Sequence, residues 1–87
     1  MQIELSTEAR EHILFWRKTG NKATLKKIEK LTDAIFENPY KGIGKPEALK
    51  HDLAGCWSRR ITQEHRLVYE VANDLITVLS MKGHYHR

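Results

Sequence analysis

The spacing of hydrophobic residues changes about halfway along the chain. Between residues 7 and 37 they recur every three or four positions, which is typical of amphipathic helices. From Ala48 onward they alternate with polar residues, which is typical of strands with one covered face. A short alternation at Ile3 and Leu5 precedes the helices. The pattern therefore predicts one strand, then two helices, then a run of antiparallel strands.

The two helices are each preceded by a suitable capping residue. Helix one is expected from about residue 7 to residue 19, and helix two from about residue 22 to residue 37. Ser6 and Asn21 are suited to cap the two N-termini, and Pro39 follows the second helix. Because only two residues separate the helices, we expect an antiparallel hairpin that packs on a sheet.

Each predicted helix has one apolar side. The positions expected to be buried are Ala9, Ile13 and Trp16 in helix one, and Leu25, Ile28, Leu31, Ile35 and Phe36 in helix two. The other side of helix two carries Lys22, Lys26, Lys27 and Lys30. We interpret these lysines as a solvated face, and an RNA-contacting stripe is the alternative.

The second half of the chain predicts strands at residues 57–62, 66–71 and 75–81, after a loop at 39–46 that is rich in proline and glycine. On the first of these strands, Trp57, Arg59 and Ile61 share one side, and Ser58, Arg60 and Thr62 share the other. On the second, Leu67, Tyr69 and Val71 should face the helices, and Arg66, Val68 and Glu70 the opposite side, within reach of Arg60. The nearly continuous apolar run at 75–81 predicts a central strand covered on both faces.

This order of elements predicts an α+β fold. We expect a two-helix hairpin packed on a small twisted antiparallel β-sheet, whose second face is left open. Because a chain of 87 residues supports one hydrophobic core, residues 1–87 are expected to form a single domain.

Charge is concentrated in the segment from residue 45 to residue 69. The whole chain carries 15 lysines and arginines against 11 acidic residues, a formal net charge of +4. The segment contains Lys45, Lys50, Arg59, Arg60 and Arg66, interleaved with Glu47, His51 and His65. The crowding predicts that the open face of the sheet attracts a polyanion.

Other features narrow the class of protein. Cys56 is the single cysteine, so no internal disulfide is expected, which fits a reducing cytoplasm. The chain shows neither a secretory signal nor an apolar run long enough to span a membrane, so we expect a soluble, cytoplasmic protein. A metal site built from His51, His84 and His86 is an alternative, but it lacks an acidic ligand. We therefore predict no metal and no cofactor.

Several sequence words resemble a known family. The segments GKPEALKH and GCWSRRITQEHRLVYEV, with the HY pair near the C-terminus, are similar to the YoeB (Txe/YoeB) family of toxins in the RelE superfamily. The resemblance covers nearly the whole chain. It implies a RelE-like fold and a bacterial type II toxin, a metal-independent endoribonuclease that cleaves mRNA in the A site of a translating ribosome. It also implies a cognate YefM-like antitoxin that is acidic and partly disordered, and a homodimer is a further assembly to consider.

The resemblance also implies residue roles. Glu47 matches the general base, Arg66 the charge-stabilising arginine and His84 the general acid. The residues expected to bind substrate or its phosphates are Lys50, Arg60 and Tyr85, which match the family, and Lys45 and Arg59, which belong to the same cationic segment.

Alternatives stay open for several of these residues. Arg66 has an alternative role in a salt bridge to Glu70 or Glu64. Two residues, His86 and Arg87, follow the HY pair that usually closes the family pattern, and His86 competes with His84 for the role of acid.

Two aromatic residues, Trp57 and Tyr69, are suited to stacking on bases, but we assign both to the core. At the level of function, the alternatives are a binding module that blocks the ribosome or another RNA without cleavage, and a gyrase-directed toxin on the same scaffold.

Overall fold

The elements follow the predicted order. The computed structural model describes residues 1–84. In that range the strands and helices are β1 (Gln2–Leu5), α1 (Thr7–Lys18), α2 (Lys22–Glu37), β2 (Glu47–Ala48), β3 (Cys56–Arg60), β4 (Arg66–Ala72) and β5 (Leu75–Ser80). A 3-10 turn at His51–Leu53 lies between β2 and β3. The α+β prediction and both helix starts are confirmed.

Within residues 1–84 the strands form one five-stranded sheet in the order β1-β5-β4-β3-β2. β3, β4 and β5 pair antiparallel, as predicted, and the short β2, which was not predicted, pairs antiparallel to β3, but β1 pairs parallel to β5. The expectation of a wholly antiparallel sheet is therefore wrong, and the sheet is mixed. The alternation of residues reports which face of a strand is covered, whereas the direction of β1 depends on the helical crossover that separates it from the other strands.

The predicted caps begin both helices. The Ser6 hydroxyl accepts the N–H of Ala9 at 3.0 Å, and the Asn21 side chain accepts the N–H of Thr24 at 3.0 Å. Ser6 also donates to the carbonyl of Leu79 at 2.9 Å, so the first cap is tied to β5. These bonds satisfy amide groups that have no partner inside a helix.

The main core lies between the helices and one face of the sheet. Its buried members are Ala9, Trp16, Ile28, Leu31, Ile35, Ile61, Leu67, Tyr69, Ile76, Val78 and Met81. The predicted inward positions of β4 are confirmed, since Leu67 and Tyr69 are fully buried and Val71 packs against the same core. β5 is an internal strand, as predicted, although its second face is only half-buried at Leu75 and Leu79.

Two predictions about α2 are wrong. Phe36 is 52% exposed rather than buried, whereas Ile35 in the same last turn of α2 is fully buried, so the apolar stripe of the helix ends at Ile35. Lys27 is half-buried rather than fully solvated. It lies one helical turn before the fully buried Leu31, at the margin of the apolar stripe.

A second, smaller core covers part of the sheet face that was expected to be open. Leu49, Cys56 and Val68 are buried there, with Leu53 and Leu79 packed against them. The chain after β2 folds over this face, and the N–H of Leu49 donates to the carbonyl of Cys56 at 3.0 Å. The remaining open area is therefore smaller than predicted and lies beside Glu47 and Arg66.

A half-buried histidine makes the stability of this fold depend on pH. The Nδ1 atom of His12 accepts the N–H of Met81 at 2.9 Å, which requires an unprotonated nitrogen. Burial lowers the pKa of His12 from its ordinary value of 6.5, against the opposing influence of the Glu8 carboxylate. The unfolded chain therefore binds this proton more readily than the folded chain does. The contribution of His12 to the free energy of unfolding is therefore complete above about pH 6.5 and decreases as the pH falls below that value.

We expect the variant His12→Asn, which keeps an acceptor for Met81, to lose less stability on acidification than the wild type. Urea denaturation at pH 7.5 and pH 5.5 measures the difference, since the two proteins differ at position 12 alone. An equal loss in the variant would assign the pH dependence to other groups.

Candidate active site

Three strands bring Glu47 and Arg66 together. Glu47 in β2 lies opposite Ser58 in β3, and Ser58 lies opposite Val68 in β4. Nη1 of Arg66 donates to the Ser58 hydroxyl at 3.2 Å and lies 3.7 Å from Oε1 of Glu47. Side-chain exposure is 18% for Arg66 and 57% for Glu47, so a carboxylate and a guanidinium are both accessible at one point on the sheet.

The ion pair of Arg66 differs from the one considered from sequence. In the part of the chain that the structure describes, its carboxylate partner is Glu47 rather than Glu64 or Glu70. A pairing between strands depends on register, which the order of residues does not reveal.

A second guanidinium lies directly across from the first. Arg60 at the end of β3 is the register partner of Arg66 at the start of β4, and Arg60 is exposed. Like charges at directly opposed positions destabilise a strand pair. A bound phosphate would relieve that repulsion, and the planar guanidinium groups are suited to grip its oxygens.

Two hydrogen bonds hold Gly83, the residue before His84, against the start of β4. The N–H of Arg66 donates to the carbonyl of Gly83 at 2.9 Å, and the N–H of Gly83 donates to Nδ1 of His65 at 2.8 Å. His84 follows directly and is exposed. The backbone thus ties the residue before His84 to Arg66, whose side chain lies beside Glu47.

Three of the predicted substrate-binding residues, Lys45, Lys50 and Arg60, are exposed on the surface. Lys50 is exposed just before the 3-10 turn, and Lys45 is exposed in a left-handed conformation with φ of 52°. Lys45 and Arg60 line the same groove. Tyr85, with His86 and Arg87, lies outside the described residues.

Arg59 is the one predicted phosphate ligand that the structure contradicts. Its side chain is fully buried, and Nε donates to the Tyr69 hydroxyl at 3.1 Å. The other guanidinium nitrogens donate to the carbonyls of Asn38 at 2.7 Å, Lys41 at 3.1 Å and Ile43 at 3.1 Å. The assignment of Arg59 to substrate binding is therefore wrong. Strand alternation with Trp57 and Ile61 indicates the inward position of Arg59.

Arg59 and Tyr69 together fasten the loop that leads to β2. The Tyr69 hydroxyl donates to the carbonyl of Pro39 at 2.6 Å, and burial raises the pKa of Tyr69. The N–H of Arg60 donates to the carbonyl of Gly44 at 2.7 Å. Gly44 has φ of 85°, and a Cβ there would lie 2.6 Å from the Leu31 side chain, so this position needs glycine. These contacts fix the loop, and the loop in turn fixes the backbone positions of Lys45 and Glu47.

Trp57 and Tyr69, both assigned to the core, differ in how deeply they are buried. Tyr69 is fully buried and belongs to the main core. Trp57 is half-buried, packs against that core and contacts the ring of Tyr40 with centroids 5.2 Å apart.

Ser58 is the residue of the site that sequence reasoning did not nominate. It is fully buried, and its hydroxyl accepts the hydrogen bond from Arg66 that orients the guanidinium. Alternation placed it on the same side as Arg60, which was the available signal. Its position between Glu47 and Arg66 follows only from the register of three strands.

The described residues give less support to a metal site or to a cysteine nucleophile. Among residues 1–84, no three histidine, cysteine, aspartate or glutamate side chains are grouped closely enough to hold a metal ion. Burial raises the pKa of the Cys56 thiol, which disfavours the nucleophilic thiolate. No helix within residues 1–84 has the length and apolar character needed to cross a membrane.

Known sequences and structures resemble this chain over almost its whole length. Toxin YoeB of Escherichia coli (strain K12) is 45% identical over 85 residues, which cover 98% of this chain and 100% of that protein. A YoeB/ParE toxin from Agrobacterium tumefaciens has 38% identity and a TM-score of 0.92, with coverage of 98% of this chain and 100% of that chain.

Two structures from Staphylococcus aureus contain further relatives. A YoeB dimer matches with 43% identity and a TM-score of 0.86, over 98% of both chains. A heterotetrameric YoeB-YefM toxin-antitoxin complex matches with 44% identity and a TM-score of 0.85, over 95% of both chains. The family model for the YoeB-like toxin of bacterial type II toxin-antitoxin systems matches residues 5–85. The chain therefore belongs to the family of YoeB-like toxins of bacterial type II toxin-antitoxin systems.

Proposed function

We propose that this toxin is a ribosome-dependent endoribonuclease that cleaves mRNA in the ribosomal A site without a metal ion. The observation that supports this most directly is the position of the Arg66 guanidinium, 3.2 Å from the Ser58 hydroxyl and 3.7 Å from the Glu47 carboxylate. A base and a cation are thereby accessible together on a basic surface, which suits acid-base chemistry on a phosphodiester.

In the proposed reaction the nucleophile belongs to the RNA. The Glu47 carboxylate accepts the proton of a 2′-hydroxyl as the 2′-oxygen forms a bond to phosphorus. The bond from phosphorus to the 5′-oxygen of the next nucleotide breaks, and His84 donates a proton to that oxygen. The products are a 2′,3′-cyclic phosphate, which water opens to a 3′-phosphate, and a 5′-hydroxyl.

Arginine side chains stabilise the crowded phosphorane in this scheme. Arg66 carries a permanent positive charge, and its hydrogen bond to Ser58 holds it before the substrate arrives. Arg60, directly opposite, adds a second charge on the exposed side. Lys50 and Tyr85 complete the substrate contacts by their match to the family, without a contact described in the structure.

The ribosome has a specific task in this proposal. Glu47 is 57% exposed, so RNA at this site is not enclosed by the protein. Cleavage needs the 2′-oxygen, the phosphorus and the leaving oxygen in line, and misalignment by about 1 Å can cost a factor of 100 in rate. We infer that the decoding site supplies this alignment. Action on the ribosome implies that the toxin works in the cytoplasm. We further propose that residues 1–87 act as a single domain.

An antitoxin is the proposed regulator. The related toxin from Staphylococcus aureus is bound to YefM in its heterotetrameric complex. The net charge of +4 favours an acidic, partly disordered partner that covers the basic face of this toxin. The YoeB dimer of the same organism supports a homodimer as a second assembly of this chain.

Mapping transcript ends in a translation extract programmed with one defined message tests the proposal. We expect new ends within codons at the A site, unchanged by a chelator and abolished when the cognate antitoxin is added first. Translational arrest without new ends would indicate a toxin that blocks the ribosome without cleavage. A DNA-damage response in cells without arrest of the extract would indicate action on gyrase.

A further inference from the structure

A groove of about 420 Å³ lies between α2, the loop before β2 and the turn after β3. Its lining residues are Lys27, Gly44, Lys45, Arg60, Ile61, Thr62 and Gln63. Three of them are cations that come from three separate parts of the chain. Because Thr62 and Gln63 add polar groups beside these three cations, the groove suits an anionic group.

Lys27 is the member of this groove that differs from the other lysines of α2. It is half-buried, whereas Lys22, Lys26 and Lys30 are exposed. Its position one turn before Leu31 lays the aliphatic stem along the core margin, and its ammonium group is free to extend toward the groove. A lysine so placed has fewer conformations to lose when it binds an anion.

The positive charges of the groove are not neutralised by neighbouring acids. In residues 1–84, side-chain nitrogens within 4.0 Å of a carboxylate belong to His12 and Arg66. Lys27, Lys45 and Arg60 therefore lack such a partner in the described part of the chain. Unpaired cations that converge on one concave surface concentrate positive potential there.

The walls of the groove are held in place by the backbone. The N–H of Arg60 donates to the carbonyl of Gly44 at 2.7 Å, which joins the loop to β3. Lys45 has φ of 52°, a conformation that L residues other than glycine rarely adopt. Such strain persists where surrounding contacts impose it, and it is common at binding sites.

The groove is continuous with the candidate active site through Arg60. That residue lines the groove and is also the register partner of Arg66, and directly opposed Cα atoms in a sheet are about 4.5 to 5.5 Å apart. We propose that the groove binds the phosphodiester adjacent to the scissile linkage of the RNA, with Lys27 as a positioning residue. The identity of the ligand as RNA rests on the proposed function.

The test uses a short single-stranded RNA whose cleavable 2′-hydroxyl is replaced by hydrogen, so that binding is measured without reaction. We expect Lys27→Gln to weaken binding about 3- to 10-fold, as for one lost hydrogen bond of ordinary strength. The slope of log affinity against log salt should decrease by about 0.7, the value for one phosphate contact on a single strand. Lys27→Arg should restore both, and Lys30→Gln, the same change on an exposed site of α2, should alter neither.

Neutral methylphosphonate linkages locate the phosphate. Each linkage of the RNA is replaced in turn, and the binding of wild type and Lys27→Gln is compared. At one linkage next to the scissile position, neutralisation should weaken the wild type and leave the variant unchanged, which is a direct coupling between Lys27 and that phosphate. Equal effects at every linkage, or no salt-dependent binding by the wild type, would overturn the groove proposal.

The outcome is separable from that of the proposed function. Coupling between Lys27 and one phosphate, together with no cleavage in the translation extract, would support the groove and overturn the endoribonuclease. Normal cleavage, with Lys27→Gln equal to Lys30→Gln in every binding measurement, would overturn the groove alone. Thermal unfolding of the three variants should match that of the wild type, because none of the changed side chains belongs to the core.

Discussion

Replacement of Glu47 by glutamine is expected to lower the rate of mRNA cleavage on the ribosome by about 10²- to 10⁴-fold, the usual contribution of a general base. Glutamine has nearly the same shape but cannot accept the proton of the 2′-hydroxyl. The fold should be unaffected, since Glu47 is 57% exposed and lies on a two-residue edge strand. The measurement is the single-turnover rate of appearance of new transcript ends on programmed ribosomes.

Glu70→Gln is the matched control for charge. Glu70 is an exposed carboxylate on the same face of β4 as Arg66, and its loss changes the net charge by the same amount. It should cleave at nearly the wild-type rate. If Glu47→Gln also cleaved at that rate, or if both variants lost activity equally, the assignment of Glu47 as the base would be wrong.

The second large effect is on stability rather than on activity. Arg59→Met should lower the free energy of unfolding by about 3 to 5 kcal/mol, because it removes the donors of one buried and three partly buried hydrogen bonds. The acceptors are the Tyr69 hydroxyl and the carbonyls of Asn38, Lys41 and Ile43. One of them, the Asn38 carbonyl, lies at the C-terminus of α2, where a cation is also favoured by the helix dipole.

Urea denaturation measures this effect, with Arg60→Met as the control. The neighbouring Arg60 is exposed, so its replacement should change the free energy of unfolding by no more than about 0.5 kcal/mol. Tyr69→Phe removes two hydrogen bonds of the same network and should lose about 1 to 3 kcal/mol, which tests the network even if Arg59→Met does not fold. Equal stability of the Arg59 and Arg60 variants would contradict the structural role of Arg59.

The parts of the fold that were predicted correctly are those that depend on local pattern. Ser6 and Asn21 cap their helices as expected, because a capping side chain bonds an amide only three residues away. The inward positions of Leu67 and Tyr69 follow from alternation along a single strand. Neither prediction requires knowledge of a distant segment.

The predictions that failed depend on what a segment meets in three dimensions. Phe36 lies outside the buried stripe that ends at Ile35, and Lys27 is half-buried because it borders the stripe that contains Leu31. The open face of the sheet is partly covered by Leu49, which comes from a segment that alternation did not place there. Arg59 is buried because four polar groups of the loop and of β4 provide partners for its charge.

By itself, the sequence determined the helices, the antiparallel strands, the family and the identity of Glu47, Arg66 and His84 as candidates, because these depend on local periodicity and on recognisable words. The tertiary structure decided which of the clustered cations are available. Strand register opposes Arg60 to Arg66 and inserts Ser58 between Arg66 and Glu47, and inward orientation removes Arg59 from the surface. The physical reason is that charge along a chain is counted residue by residue, whereas its accessibility is determined by packing between segments far apart in sequence.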